Sequence, residues 1–230
     1  MKIIMLILAS DDQEHFINSQ KLWSKYMHNN ENIQSFFYKC DPNLDSDIYY
    51  DDNLKTIYVK HIENYMPGIL YKTIKTFHYI YKNYDFDYIY RTNMSSVIDL
   101  DKMYNYILNN KIDYGGVIGN YHNVKYASGC GFLLSKNACI KLLMQNAKIP
   151  YHIIDDVAIG YILTQLVNLT EIPRGHIDSL NSDEFKKEYI TYDKNYFHFR
   201  CKSENNNNET VEIQKKLLKN IYPDLNFTTN

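Results

Sequence analysis

Short apolar runs alternate along this chain with stretches of helical spacing, and that alternation restricts it to folds in which parallel strands are joined by helical crossovers. The opening run, Met1-Lys2-Ile3-Ile4-Met5-Leu6-Ile7-Leu8-Ala9, is apolar on both faces, as a strand covered from both sides requires. Ser10, Asp11 and Asp12 close it, and Glu14 to His28 then places Phe16, Ile17, Leu22, Trp23, Tyr26 and Met27 at helical intervals. A single basic residue followed by a short apolar run and acids reads as a buried first strand and not as a leader peptide.

The alternation continues. Residues 33–40 read as a strand, 41–53 as a loop with Pro42 and several acids, and Thr56–Val59 as a short strand. Gly68–Asn83 spreads Ile69, Tyr71, Ile74, Phe77, Tyr79, Ile80 and Tyr81 over most of a helix surface, so that helix should pack on a sheet. A strand at Phe86–Thr92, a helix at Leu100–Asn110, strands at Tyr114–Ile118 and Gly131–Leu134, and a helix at Lys136–Asn146 follow. A further helix is expected from Asp156 to Asn168, then a strand at Leu169–Ile172, a polar loop at Ser203–Asn208 and a closing helix at Val211–Ile221. This order predicts one domain: a Rossmann-like three-layer α/β/α sandwich around a mostly parallel sheet.

Composition removes several classes. The 230 residues suffice for one substantial core, and a formal charge of −2 offers no field for nucleic acid or a membrane surface. The 23 tyrosines, together with heavy Asn and Lys usage, fit an AT-rich coding sequence better than a physical demand. Cys40, Cys130, Cys139 and Cys201 form no CxxC pair and have no His at zinc-ligand spacing, which points to free thiols. No HxH or HExxH occurs among the eight histidines, and His198, alternating with aromatics, reads as a core or rim residue. No stretch approaches the ~18 apolar residues of a membrane span. A soluble cytoplasmic protein is the expectation. GxGxxG and GxxxxGK[ST] are both missing, which argues against dinucleotide enzymes and P-loop ATPases.

In open α/β sheets ligands bind at the carboxyl ends of strands, where strand order switches. Ser10 and Asp11, after the first strand, should therefore face Arg91, Asn93 and Ser95 at the end of the Phe86–Thr92 strand. A guanidinium there suits a diphosphate, and Asn and Ser suit ribose or phosphate oxygens. Arg91 serves equally as a strand-end residue paired to Asp85, Asp87 or Asp99. Asp155 and Asp156 open a helix, where capping explains both, yet adjacent helical positions diverge by about 100°, so one can cap while the other enters a cleft as a base. Gly129 and Gly131 fit close backbone approach, positive φ, or a simple turn.

The joint order of these pieces resembles the β-1,3-galactosyltransferase and Fringe-like family of GT-A glycosyltransferases over most of the chain. Trp23 in the first helix, and Leu70-Tyr71-Lys72-Thr73, are similar to that family's opening helix and its Leu-x-Lys-Thr helix. Tyr126-Ala127-Ser128-Gly129-Cys130-Gly131-Phe132-Leu133-Leu134-Ser135 resembles its Tyr-x-Ser-Gly-x-Gly-Tyr-x-x-Ser segment, and Asp155-Asp156-Val157-Ala158-Ile159-Gly160 its Glu-Asp-Val-x-x-Gly block. These last two motifs are the specific part.

The resemblance implies a nucleotide-sugar donor, UDP-linked in the family, and a glycan, protein or lipid hydroxyl as acceptor. Asp156 becomes the catalytic base of an inverting hexosyl transfer. Ser10, Asp11, Lys72, Arg91, Asn93 and Ser95 become donor-binding, and Ser128, Gly129, Gly131 and Asp155 acceptor-binding, with residues 1–100 as donor half and 101–230 as acceptor half. Where the family holds manganese with an Asp-Asp-Asp run, Asn93 and Ser95 occupy the outer positions and Arg91 the preceding Lys. Neutral oxygens disfavour a hard cation. Two expectations follow: a metal-independent enzyme, with Lys72 or Arg200 helping Arg91 to offset the leaving diphosphate, or a binding protein that has lost catalysis. Asp85-Phe86-Asp87 spells DxD but precedes its strand.

Overall fold

The computed structural model describes residues 1–179, 183, 186–187, 189–203 and 207–227. An eight-stranded sheet runs in the order β3-β4-β2-β1-β5-β8-β7-β9, with β1 at Ile3–Leu8, β2 at Ile33–Cys40, β3 at Ile48–Asp51, β4 at Thr56–Val59, β5 at Tyr88–Asn93, β7 at Tyr114–Tyr121, β8 at Val124–Ser135 and β9 at Leu169–Glu171. Strands β4, β2, β1 and β5 are mutually parallel, whereas β8 runs antiparallel to both β5 and β7. A second, three-stranded sheet joins β10 (Gly175–Ile177), β11 (His198–Cys201) and β6 (Ser96–Ile98).

Helices cover both faces, which is why the strands read as unbroken apolar runs. Ile3, Met5 and Ile7 of β1 pack with Trp23 and Tyr26 of α1 (Glu14–Tyr26), Met103 of α3 (Leu100–Asn109) and Leu217 of α6 (Asn207–Ile221). Ile4 and Leu6 point the other way, toward Ile74 and Phe77 of α2 (Gly68–Asn83), Leu142 of α4 (Lys136–Met144) and Ile159 of α5 (Asp155–Leu163). This is the three-layer α/β/α sandwich that the alternation predicts. Local chemistry sets several boundaries: Asp99 accepts from the Lys102 amide to cap α3, and Ser135 accepts from the Ala138 amide to cap α4.

Several boundaries differ from expectation. Part of the 41–53 loop is β3, an antiparallel edge strand on β4. β8 begins at Val124, because His122 and Asn123 adopt left-handed φ of 45° and 66° and turn β7 directly back into it. Helix α5 stops at Leu163 instead of Asn168, and α6 begins at Asn207, inside the expected polar loop; residues 204–206 of that loop lie outside the described residues. Among the described residues no helix is long and apolar enough to cross a membrane.

Candidate functional site

β1 lies between β2 and β5, so the chain leaves its carboxyl end in one direction and returns on the other side. That is a topological switch point. Register aligns Leu8 with Asn93, and a cleft of about 580 Å³ opens there, drawing on Ser10, Lys72, Asn93 and Ser95 and also on Arg200 and Lys202. Two larger concavities, about 850 and 750 Å³, lie beside residues 147–153 and on the outer face of α2, with no residue from the ends of β1 or β5. The cleft is not confined to residues 1–100.

The floor of the cleft is a hydroxyl and amide cluster. The Asn93 side-chain oxygen accepts from Ser95 Oγ at 2.9 Å and Ser96 Oγ at 3.1 Å. Trp23 Nε1 and Gln214 Nε2 both donate to the Met94 carbonyl, tying α1 and α6 to this turn. Lys72, only 1% exposed, donates to Glu63 at 2.6 Å and to the Ala9 carbonyl at 3.1 Å; burial pulls its pKa down, and the Glu63 charge opposes that. Asp11 is bound by Lys39 at 2.7 Å and is not part of the cleft wall, while Ser10 accepts from the Asp12 amide.

Arg91 is turned into the protein. It is 2% exposed, and neither Asp85, Asp87 nor Asp99 is its partner. Its Nε donates to Tyr38 Oη at 2.9 Å, one terminal nitrogen donates to the Gly129 carbonyl, and the other meets Asp155 at 2.7 Å, with the Phe132 ring 5.6 Å from the guanidinium. Asp155 is therefore an ion-pair partner and not a helix cap. Asp156 accepts from the Gly129 amide at 2.7 Å and the Val157 amide at 2.9 Å. Burial, and then the neighbouring Asp155 charge, pushes its carboxyl above the ordinary range. Tyr65, 70% exposed, lines the cleft and carries a phenol raised by burial and then by the charges of both acids, whereas Asp155, Asp156, Ser128, Gly129 and Gly131 do not themselves line it.

The glycines serve close approach; none has positive φ. A Cβ on Gly129 would lie 2.9 Å from an Arg91 terminal nitrogen and 3.1 Å from the Asp156 carboxylate, so its absence lets both reach the β8 backbone. A Cβ on Gly131 would lie 2.3 Å from the His198 ring, and one on Gly160 would lie 2.3 Å from Tyr126 Cβ. The two specific motifs thus pack on one another, α5 against β8. Ser128 accepts from Arg174 at 3.2 Å. His198 is a buried core residue, bonded to Tyr90 at 2.8 Å and Ser96 at 2.9 Å; burial, with the Arg174 and Arg200 charges, pulls its pKa down to about 3.

The manganese that the resemblance brings with it finds no matching donor set. The β5 end presents neutral oxygens, while Asp11, Glu63 and Asp155 are each bound to a cation. No group of three or more His, Cys, Asp or Glu side chains converges among the described residues. Sequence reasoning missed Lys202 and Tyr65 altogether and named Arg200 only as an auxiliary. Arg200 and Lys202 reach the cleft through β11 pairing with β6, and two strands of three and four residues carry no periodic signal; Tyr65 stands in the turn before α2.

The fold is that of the GT-A-like α/β proteins. Among solved structures, a glycosyltransferase involved in the glycosylation of the major capsid of PBCV-1 superposes with a TM-score of 0.54 at 9% identity, over 93% of this chain and 98% of that one. A197 from STIV aligns over 75% of this chain and 82% of its own at 9% identity, with a TM-score of 0.44, too low to bear on the fold. No protein-family profile matches the sequence, and no curated protein does. The narrower likeness to β-1,3-galactosyltransferases and Fringe proteins therefore rests on the motifs alone.

Proposed function

We propose that the protein is a glycosyltransferase that moves a hexose from a nucleoside diphosphate sugar, UDP-linked by the motif resemblance, to a hydroxyl acceptor with inversion and without a metal ion. The observation that carries this reading is a desolvated carboxylate, Asp156, held by the Gly129 amide in the motif that the resemblance assigns to the base, on a fold with a polar cleft at the sheet's switch point. A raised carboxyl pKa brings a base closer to working pH. The acceptor oxygen bonds to the anomeric carbon as Asp156 takes its proton. The bond from that carbon to the β-phosphate oxygen breaks, and the nucleoside diphosphate leaves with the electron pair. Asp155 and Arg91 act by positioning: their ion pair fixes the first turn of α5 against the Gly129 segment. The motif resemblance assigns Ser128, Gly129 and Gly131 to the acceptor.

Calorimetry and turnover assays across UDP-, GDP- and dTDP-hexoses test the proposal. Binding of one donor, with hydrolysis or transfer that persists in EDTA, is expected. No binding by any of them removes the reading, and a strict manganese requirement removes its metal-independent part. The neutral β5 end favours a second reading, a nucleotide-sugar-binding protein without catalysis, which saturable donor binding with no turnover would select.

A further inference from the structure

The cations near the cleft fall into two groups. Lys39, Lys72 and Arg91 are each committed to a carboxylate, Asp11, Glu63 and Asp155 respectively. Arg200 and Lys202 line the same cleft and have no acidic partner within ion-pair distance among the described residues. The Arg200 Nε is moreover buried without any hydrogen-bond partner there. A buried guanidinium N–H left unpaired is costly, and a bound ligand is one way in which such a bond is completed.

We propose, on the reading of the cleft as a donor site, that Arg200 and Lys202 form an anion wall that binds the donor diphosphate and does the charge work that a metal ion does elsewhere. Arg200 sits on β11, and Lys202 follows the strand's last residue with its amide donating to the Ile177 carbonyl at 3.1 Å. Arg200 pairs in register with Ser96, three residues past Asn93, and the Cys201 amide donates to the Ser95 carbonyl at 2.7 Å. The wall therefore stands directly over the neutral β5 end, where Asn93, Ser95 and Ser10 add uncharged donors. A forked guanidinium matches two phosphate oxygens, and an ammonium two residues on, lining the same cleft, supplies a second charge. As the anomeric bond breaks, charge builds on the β-phosphate oxygen, and fixed cations offset it without reorganising. Neither residue needs deprotonation or a co-reactant.

Calorimetry on the full chain with uridine, UMP, UDP and inorganic pyrophosphate, for wild type, Arg200→Gln, Arg200→Lys and Lys202→Gln, tests the wall. UDP affinity is expected to exceed that of uridine, to fall by about 10- to 100-fold in each Gln variant, and to be partly restored in Arg200→Lys. Uridine binding should not change. UDP bound by the folded Gln variants as tightly as by wild type overturns the wall and leaves the transferase reading standing. Pyrophosphate binding that depends on Arg200, with no nucleotide preference, supports the wall and removes the nucleotide-sugar reading. Binding of none of the four overturns both. Lys202 is exposed, so Lys202→Gln carries the test if Arg200→Gln fails to fold.

Discussion

Replacing Arg91 by Met distinguishes a structural anchor from a ligand-binding group. Met fills much of the aliphatic volume but removes the bonds to Tyr38, the Gly129 carbonyl and Asp155. The Asp155 carboxylate, 13% exposed, is left without its partner beside Asp156, which is itself disfavoured as an anion. Breaking a buried ion pair on one side costs ~3–5 kcal/mol. For a chain of this size each kcal/mol shifts Tm by ~2–4 °C, so a fall of roughly 6–20 °C is expected. Removing both charges, as Arg91→Met with Asp155→Leu, should recover most of that, since the desolvation cost disappears with the pair. Differential scanning fluorimetry on wild type, the single and the double variant reads the outcome. An Arg91→Met protein that melts within ~2 °C of wild type and has lost UDP binding refutes the reasoning and makes Arg91 a donor ligand.

Asp156→Asn should abolish transfer while preserving donor binding. Its raised carboxyl contributes stability below the ordinary carboxylate pKa, lost as pH rises through the raised value, so the variant should melt no lower than wild type at pH 7; undiminished turnover would end its role as base. In wild type, kcat/KM should fall toward acid as Asp156 takes a proton, with a midpoint above the usual carboxylate range. His198 is neutral when folded and takes a proton when unfolded below about 6.5, so its contribution is present above that pH and is lost as pH falls toward about 3. Between pH 6.5 and 4.5 this group should account for ~2–3 kcal/mol of lost stability, a loss that His198→Asn lacks; equal slopes in urea melts of the two proteins would contradict it. Gly160→Ala drives a methyl into Tyr126 and should cost ~1–3 kcal/mol while displacing Asp156, seen as lower Tm and slower transfer together. An unchanged Tm would show that α5 and β8 separate freely.

The layers of the fold were legible because buried strands and amphipathic helices leave periodic marks: the β1 run, the α2 spacing and the acids opening α5 all fall within a residue or two of their expected places. Pairing across long separations left no such mark. The sequence offers Asp85, Asp87 and Asp99 as partners for Arg91, yet the chain supplies Asp155, because a buried guanidinium takes whichever carboxylate the packing of α5 on β8 delivers. The cationic wall was equally hidden, since the β6 and β11 strands are too short to show alternation. What the glycines do was half visible: close approach was foreseeable, whereas which side chain occupies the space was not.

β11 closes the cleft from far along the chain, with His198 bonded to Ser96 across a separation of 102 residues. Closing a flexible loop of that length costs ~4 kcal/mol of chain entropy. The wall is therefore a late event in folding: β1, β2 and β5 can associate while the ribosome is still making α5, but the cleft stays one-sided until Lys202 has been added. A truncation before His198 removes Arg200 and Lys202 and, with α6, the cover over Ile3, Met5 and Ile7 of β1. In the finished protein the strand is buried at His198, Phe199 and Cys201, and a ligand that touches both the β1 end and β11 would act as a clasp on the last strand to join.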